Sequence, residues 1–344
     1  MSSLRIAITS LYLPGSSKIG VGHQVHHFAN ALIDRGHDVT VFSPDVAGDG
    51  ARYVVEHVDP GRSLRTFRFG WRLRDVDLST FDILHAHGDD TFLVGHRRPP
   101  HVRTMHGSCF AEARRIPGAK EKARMALLGA GEVVASVAAD RTVAVSAATT
   151  RVYPWIRDVI PCGVDVARFG AAVGDREASP TILFVGTYEN RKRGRLLAEA
   201  FTERVLPAIP DARLWMVCSD APPAPGIDVL GRLSDDELVD RYRRAWVFCL
   251  PSSYEGFGVP YIEALAAGCP VVATPNPGAR EVLGDGAFGR IVEPDGLGEA
   301  LAALLTDADS RAELEKIGRA RAAQYDWSEI VTAYEQVYAS VRRR

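Results

Sequence analysis

Pro251-Ser-Ser-Tyr-Glu-Gly-Phe-Gly-Val-Pro-Tyr-Ile-Glu-Ala-Leu-Ala-Ala-Gly-Cys-Pro-Val-Val-Ala-Thr274 decides how this chain is read. Val247-Phe-Cys-Leu250 just before it is a short apolar run of strand length, and Val271-Val-Ala273 is a second one. Between them, Pro260 to Ala267 has a proline at its start and Gly268 at its end, which predicts a helix. Strand, loop, helix and strand in that order form a parallel α/β unit, so the loop before Pro260 lies at the carboxyl end of a strand, the edge where open α/β sheets bind ligands. Gly256 and Gly258 let the backbone approach closely, and the free N–H groups at the helix start favour an anion such as a diphosphate. Glu263 falls about one turn into the helix, where a carboxylate accepts hydrogen bonds from a ribose diol. Glu255, at the loop mouth, offers the same chemistry to the hydroxyls of a sugar.

The same alternation runs through the whole chain. Strands are expected at 4–9, 38–42, 53–57, 82–86, 101–104, 142–145 and 158–160, with a long helix from Val21 to Arg35 ended by Gly36. A second set is expected at 181–185, 213–217, 227–230, 247–250, 271–273 and 288–292. Gly170 to Pro180 has few large apolar residues and reads as a linker between the two sets. With 344 residues, two domains of ordinary size are expected.

Composition excludes several function classes. Hydrophobic content of 46% with 24% charged residues is that of a globular protein, and no apolar run approaches the roughly 18 residues needed to cross a bilayer. The chain enters a strand at Leu4-Arg-Ile-Ala-Ile8 with no signal-peptide pattern, so a cytoplasmic location is expected. Cysteines at 109, 162, 218, 249 and 269 lack C-x-x-C spacing, which argues against a disulfide framework or a zinc site. A net charge of −2 gives no electrostatic reason to expect nucleic acid.

The glutamate spacing, the Gly-Phe-Gly and the Glu263-Ala-Leu-Ala-Ala-Gly-Cys-Pro-Val-Val-Ala-Thr274 run together resemble the E-x7-E signature of retaining GT-B glycosyltransferases of family 4, also called group 1. The resemblance extends over nearly the whole chain. It implies an α/β GT-B architecture of two Rossmann-like doubly wound domains facing across a cleft. Residues 1–169 would bind the acceptor and 181–326 the nucleotide-sugar, with a linker at 170–180. The terminal segment 327–344 would be a helix crossing back to the first domain.

Transfer from a nucleoside diphosphate sugar builds negative charge on the leaving diphosphate, which cations or oriented dipoles must meet. Phe184-Val-Gly-Thr-Tyr-Glu-Asn-Arg-Lys-Arg-Gly194 resembles the family's F-V-G-R-x5-K-G loop and places Arg191, Lys192 and Arg193 just before a helix start. Gly186 matches, but Thr187 stands where the family has arginine, and either Lys192 or Arg193 fills the lysine role. Arg232, Phe257, Gly258, Val259 and Gly256 join the expected donor site, with Glu263 on the ribose. Lys18-Ile-Gly-Val-Gly22 matches the family's glycine-rich loop, so Gly20 and Gly22 are expected near the donor phosphate. Thr104-Met-His-Gly107 resembles T-x-H-G, which assigns His106 to the donor sugar as a hydrogen-bond donor. His106, Glu255, Arg191 and Lys192 form the expected catalytic group. Ile160-Pro-Cys-Gly-Val-Asp165 resembles P-N-G-V-D, with Cys162 for asparagine, and is expected to shape the hinge.

Acceptor contacts are expected from His23, Arg114 and Arg115, within a basic stretch from Glu112 to Leu128. Pro117-Gly118 interrupts that stretch and Glu112, Glu121 and Glu132 dilute its charge, so contact with a soluble acceptor is favoured over a membrane surface, a lipid-linked acceptor remaining open. His85, His87, Asp89 and Asp90 have the look of a metal cluster, but the family carries the same strand end without metal. No metal or cofactor beyond the nucleotide-sugar substrate, UDP- or GDP-linked, is therefore expected. The expected activity is metal-independent transfer with retention to an acceptor hydroxyl. A nucleotide-sugar epimerase on the same fold would instead release free UDP without changing acceptor mass. A non-catalytic sugar-nucleotide-binding protein is a further alternative. A dehydrogenase fits least, since Val25 breaks the G-x-G-x-x-G pattern begun at Gly20.

Overall fold

The computed structural model describes residues 3–17, 19–114, 118–171 and 176–343. Two compact units emerge: Met1–Gly163 with Trp327–Arg344, and Val164–Asp326. The first holds a seven-stranded sheet in the order β3-β2-β1-β4-β5-β6-β7, and the second a six-stranded sheet in the order β10-β9-β8-β11-β12-β13. In the first unit the strands are β1 Arg5–Thr9, β2 Asp38–Ser43, β3 Val54–His57, β4 Ile83–Ala86, β5 His101–Met105, β6 Arg141–Ala144 and β7 Asp158–Val159. The second has β8 Thr181–Val185, β9 Arg213–Val217, β10 Ile227–Val229, β11 Val247–Leu250, β12 Val271–Ala273 and β13 Arg290–Ile291. The pairings between these named strands are all parallel. Parallel strands need helical crossovers that cover both faces, which is why β4, β5, β11 and β12 read as unbroken buried runs.

Each sheet reverses its winding once, between β1 and β4 in the first unit and between β8 and β11 in the second. Loops leaving those four strands therefore diverge to opposite faces and open a crevice at the carboxyl edge. Every candidate residue quoted above from the loops after β1, β4, β8 and β11 lies at one of these two edges.

Trp327–Arg342 forms the last helix, and its Ile330, Val331, Tyr334, Tyr338 and Val341 lie in one core with Ile6, Ile8, Val25, Phe28 and Ile83. Their spacing is the apolar stripe of an amphipathic helix. Polar groups on the same face are also satisfied. Tyr338 Oη bonds His85 Nδ1 at 2.7 Å, Tyr334 Oη bonds Thr104 Oγ1 at 2.8 Å, and Glu335 accepts from Arg35 at 2.8 Å and His37 at 3.0 Å.

The chain crosses between units at Gly163–Val164, inside the Ile160–Asp165 motif and earlier than the boundary expected at 169. Val166–Gly170 is a helix of the second unit, where Arg243 donates to the carbonyls of Arg168 and Phe169. Of the stretch expected as a linker, 172–175 lies outside the described residues, while Arg176 is anchored to the Ala245 and Gly268 carbonyls at 2.6 and 2.7 Å. Gly163 has no substitute at the crossing, because a Cβ there would stand 2.3 Å from the Trp327 ring. Gln24 holds its backbone by two hydrogen bonds of 3.1 Å. Among the described residues no helix is long and apolar enough to cross a membrane.

Candidate active site

In the second unit the loops after β8 and β11 are tied to each other through one carboxylate. Glu255 accepts from Lys192 Nζ and Arg191 Nη1, both at 2.8 Å, and from Ser252 Oγ at 2.7 Å. Arg191 also donates to the Tyr254 carbonyl at 2.9 Å, and its own carbonyl receives the Ser253 N–H at 2.8 Å. Burial pushes the Glu255 carboxyl up, but Lys192, Arg191 and the hydrogen bonds outweigh it and hold the group below the ordinary carboxylate range. Lys192 is lowered by its own burial, against the pull of Glu255. The trio of two cations and one anion leaves positive charge in excess at the sheet edge.

Local backbone explains how Lys192 turns inward. Asn190–Lys192 is a single tight helical turn, and Arg193 then adopts a left-handed conformation (φ 54°) that starts the Gly194–Ala200 helix. Gly186 gives the lysine its path, since a Cβ there would lie 3.1 Å from Lys192 Cβ. Arg193 is half-buried, and Thr187 is exposed and donates to the Glu189 carbonyl at 2.9 Å. Of the two candidates for the lysine position, Lys192 is the one the fold aims at Glu255.

Gly258 begins the Val259–Ala266 helix at φ 98°, and a Cβ there would strike the Tyr261 ring at 2.5 Å. Glu263 sits in that helix and receives Tyr242 Oη at 2.9 Å. Burial pushes its carboxyl up to about 7, more than Tyr242 and Lys192 lower it. The Phe257 side chain is buried, edge-on to the Tyr325 ring at 5.7 Å. Arg232 is exposed, and Gly256 is partly exposed at the loop mouth. Sequence reasoning missed Ser252, Tyr242 and Asn276. Asn276 donates to the Ser252 carbonyl and the Tyr261 hydroxyl, both at 3.1 Å, and caps the Pro277–Val282 helix. Tyr242 and Asn276 reach the site from other elements, so nothing in their local pattern marks them, whereas Ser252 lies three residues before Glu255 in the same loop.

In the first unit, a cavity of about 400 Å³ opens at the carboxyl edge of β1, β4 and β5. Tyr12, Phe67, His87, Asp89, His106 and Glu132 are among its lining residues. His106 and His87 stack at 5.2 Å and share a hydrogen bond of 2.9 Å between His106 Nε2 and His87 Nδ1. Burial, helped by Arg103, pushes the His106 imidazolium down to about 4. Asp89 lies at φ 61°, and its carboxyl is pushed up to about 7 by burial, against Arg103. Glu132 accepts from Tyr153 Oη at 2.6 Å and from the Cys109 N–H at 3.0 Å. Arg103, which also lines the cavity, pairs with Asp90, which lies 3.0 Å from His101.

Gly20 and Gly22 open the Gly20–Asp34 helix but differ in need. A Cβ on Gly22 would meet the Tyr12–Leu13 backbone at 3.0 Å, whereas nothing lies within 4 Å of one on Gly20. Lys18 of this loop and Arg115 of the expected acceptor pair lie outside the described residues. Arg114 is exposed and His23 half-buried, and neither lines the cavity; from the same stretch Glu112, Arg124, Met125 and Leu128 do. His85 is engaged by Tyr338 and Thr104. Among the described residues no group of three or more His, Cys, Asp or Glu side chains is placed to hold a metal ion.

Two family models match successive stretches of the chain: Glycosyltransferase Family 4 over residues 19–168 and Glycosyl transferases group 1 over 179–307. The chain is 28% identical to a phosphatidyl-myo-inositol mannosyltransferase of Mycolicibacterium smegmatis, over 94% of this chain and 90% of that one. Among solved structures, sucrose-phosphate synthase from Thermosynechococcus elongatus superposes with a TM-score of 0.80 at 20% identity, covering 98% of this chain and 99% of the other. The Anabaena protein HepE, in complex with UDP and glucose, gives 0.78 at 17% identity over 98% and 100%. Those likenesses establish the fold, and the paired family matches carry the activity class. The chain belongs to the family 4, group 1 glycosyltransferases, enzymes of GT-B fold that use nucleotide sugars.

Proposed function

We propose that this enzyme transfers a sugar with retention, without a divalent ion, from a UDP- or GDP-sugar held on the second unit to an acceptor hydroxyl bound in the first. The observation that carries the proposal is the Arg191–Lys192–Glu255 cluster at the winding reversal between β8 and β11. Its excess positive charge, with the adjoining Val259–Ala266 helix N-terminus, suits a diphosphate whose charge grows as the glycosidic bond breaks. Lys192 is the proposed main phosphate contact and Glu263 the ribose contact. Glu255 is already held by both cations, so it orients them and meets the transferred sugar with its remaining lone pairs.

Retention is carried over from the likeness to family 4. His106 Nε2 is bonded to His87, so that nitrogen is not free to attack, and the leaving phosphate would take the acceptor proton beside an oxocarbenium-like centre. The acceptor is a small molecule, a glycan or a lipid-linked sugar. The relative's name specifies a lipid acceptor for that protein. HepE was solved with UDP, which supports UDP as the first donor to try. A cytoplasmic location fits cysteines that form no disulfide among the described residues.

Thermal shift against UDP, GDP, ADP and their sugars tests the donor, since a ligand bound to the folded state raises the melting temperature by mass action. Activity should survive EDTA. A strict requirement for added manganese or magnesium would overturn the metal-independent reading.

A further inference from the structure

We propose that His87 is a positioning residue that fixes His106 with its proton on Nδ1, so that His106 presents an N–H donor to whatever occupies the cavity. A neutral imidazole has one N–H and one bare nitrogen. The 2.9 Å bond between His87 Nδ1 and His106 Nε2 therefore allows two arrangements. In one, His87 Nδ1–H donates and His106 carries its proton on Nδ1. In the other, His106 Nε2–H donates and His87 carries its proton on Nε2.

The two arrangements differ at His87 Nε2, which is buried with no hydrogen-bond partner among the described residues. Its surroundings offer none: the Phe28 ring lies 5.7 Å from the His87 ring and the His85 ring 4.4 Å, and both His85 nitrogens are taken by Tyr338 and Thr104. The second arrangement would bury an N–H without an acceptor, whereas the first leaves a bare lone pair there, and orphaned buried N–H groups are the rarer and costlier defect. A doubly protonated His87 would orphan the same N–H, and burial with the nearby His85, His106 and Arg103 holds its pKa well below the ordinary value. His106 consequently offers Nδ1–H, a donor without basic character, beside Asp89 and Glu132 in the same cavity. A hydroxyl or ether oxygen is the atom it can recognise.

This inference rests on the cavity being a substrate site, but its first test does not. Long-range proton–nitrogen correlation on histidine-labelled full-length protein, without substrate, reads the tautomer of each imidazole directly. His106 protonated on Nδ1 is the expected result, and an Nε2-protonated His106 would overturn the proposal whatever the enzyme transfers. His87→Asn keeps a side-chain N–H near the position of Nδ1, and His87→Phe keeps the ring packing without a donor. We expect His87→Asn to retain the Nδ1-protonated His106 and turnover within a few fold. His87→Phe should release the other tautomer and lower kcat about tenfold or more, with the KM for the donor little changed. Equal losses of kcat in both variants would show that His87 contributes packing alone.

Discussion

Glu255 is the residue on which the second unit's loops converge, and its environment makes its role separable from that of Glu263. Glu255→Gln would remove the anion that partly neutralises Lys192 and Arg191, so calorimetry should show the bare nucleoside diphosphate binding as well as or better than to the parent enzyme. Turnover should fall about tenfold or more, a loss of roughly 1.4 kcal/mol of transition-state stabilisation. Glu263→Ala should weaken binding of the bare diphosphate nucleotide itself. Equal binding losses in the two variants would refute the division. The raised carboxyls make a second prediction. Glu263 and Asp89 are both pushed up to about 7 by burial, so between pH 4 and 7 the folded state keeps protons that the unfolded chain releases. Their contribution to stability is therefore greatest at low pH and is lost as pH rises toward and past 7. Glu263→Gln keeps an acceptor for Tyr242 without the charge, so its melting temperature relative to the parent should climb from pH 5 to pH 8. A constant difference across that range would show that Glu263 is not raised.

The glycines at helix starts separate structural from functional need at the level of elements. Gly258 begins its helix at φ 98° with Tyr261 in the way, so Gly258→Ala should destabilise the protein by roughly 1–3 kcal/mol, read as a drop in the denaturant midpoint. Gly20 has open space around it and helical backbone. Gly20→Ala should leave stability unchanged or raise it by roughly 0.5–1 kcal/mol, as alanine does in helices, while lowering activity if a ligand approaches that turn. Full activity with normal stability would remove Gly20 from the donor site. The motif spacing made both glycines candidates, but whether a side chain fits depends on Tyr261, which lies in the same helix, and on the absence of any neighbour near Gly20, which no local pattern reveals.

At the scale of the molecule, the last helix is part of the first unit although its sequence follows the second. Tyr338 reaches His85, Tyr334 reaches Thr104, and Glu335 joins Arg35 and His37. A chain ending at Asp326 should accordingly lose the cooperative unfolding of residues 1–163 while the Val164–Asp326 unit keeps its protection in hydrogen exchange. Unaltered protection of the β1 and β4 amides in the truncated chain would contradict this. Tyr338→Phe, which removes one buried hydrogen bond, should cost about 1 kcal/mol.

The strands of both sheets, the helices at Gly20 and Val259 and the strand-end loops were legible in the sequence, because hydrophobic period and glycine placement act over a few residues and do not depend on distant contacts. The E-x7-E spacing and the Thr104–Gly107 and Phe184–Gly194 loops were legible for the same reason: each motif is contiguous. The tertiary structure alone decided that Lys192 rather than Arg193 turns to Glu255, that the Phe257 side chain is buried edge-on to Tyr325, and that the units divide at Gly163 instead of 169. It also decided that Asp89 and Glu132 share a cavity with His106 and that Tyr242 holds Glu263. Each of these depends on groups brought together from separate strands and helices, where burial sets protonation and packing sets direction, and neither quantity is a property of the local chain.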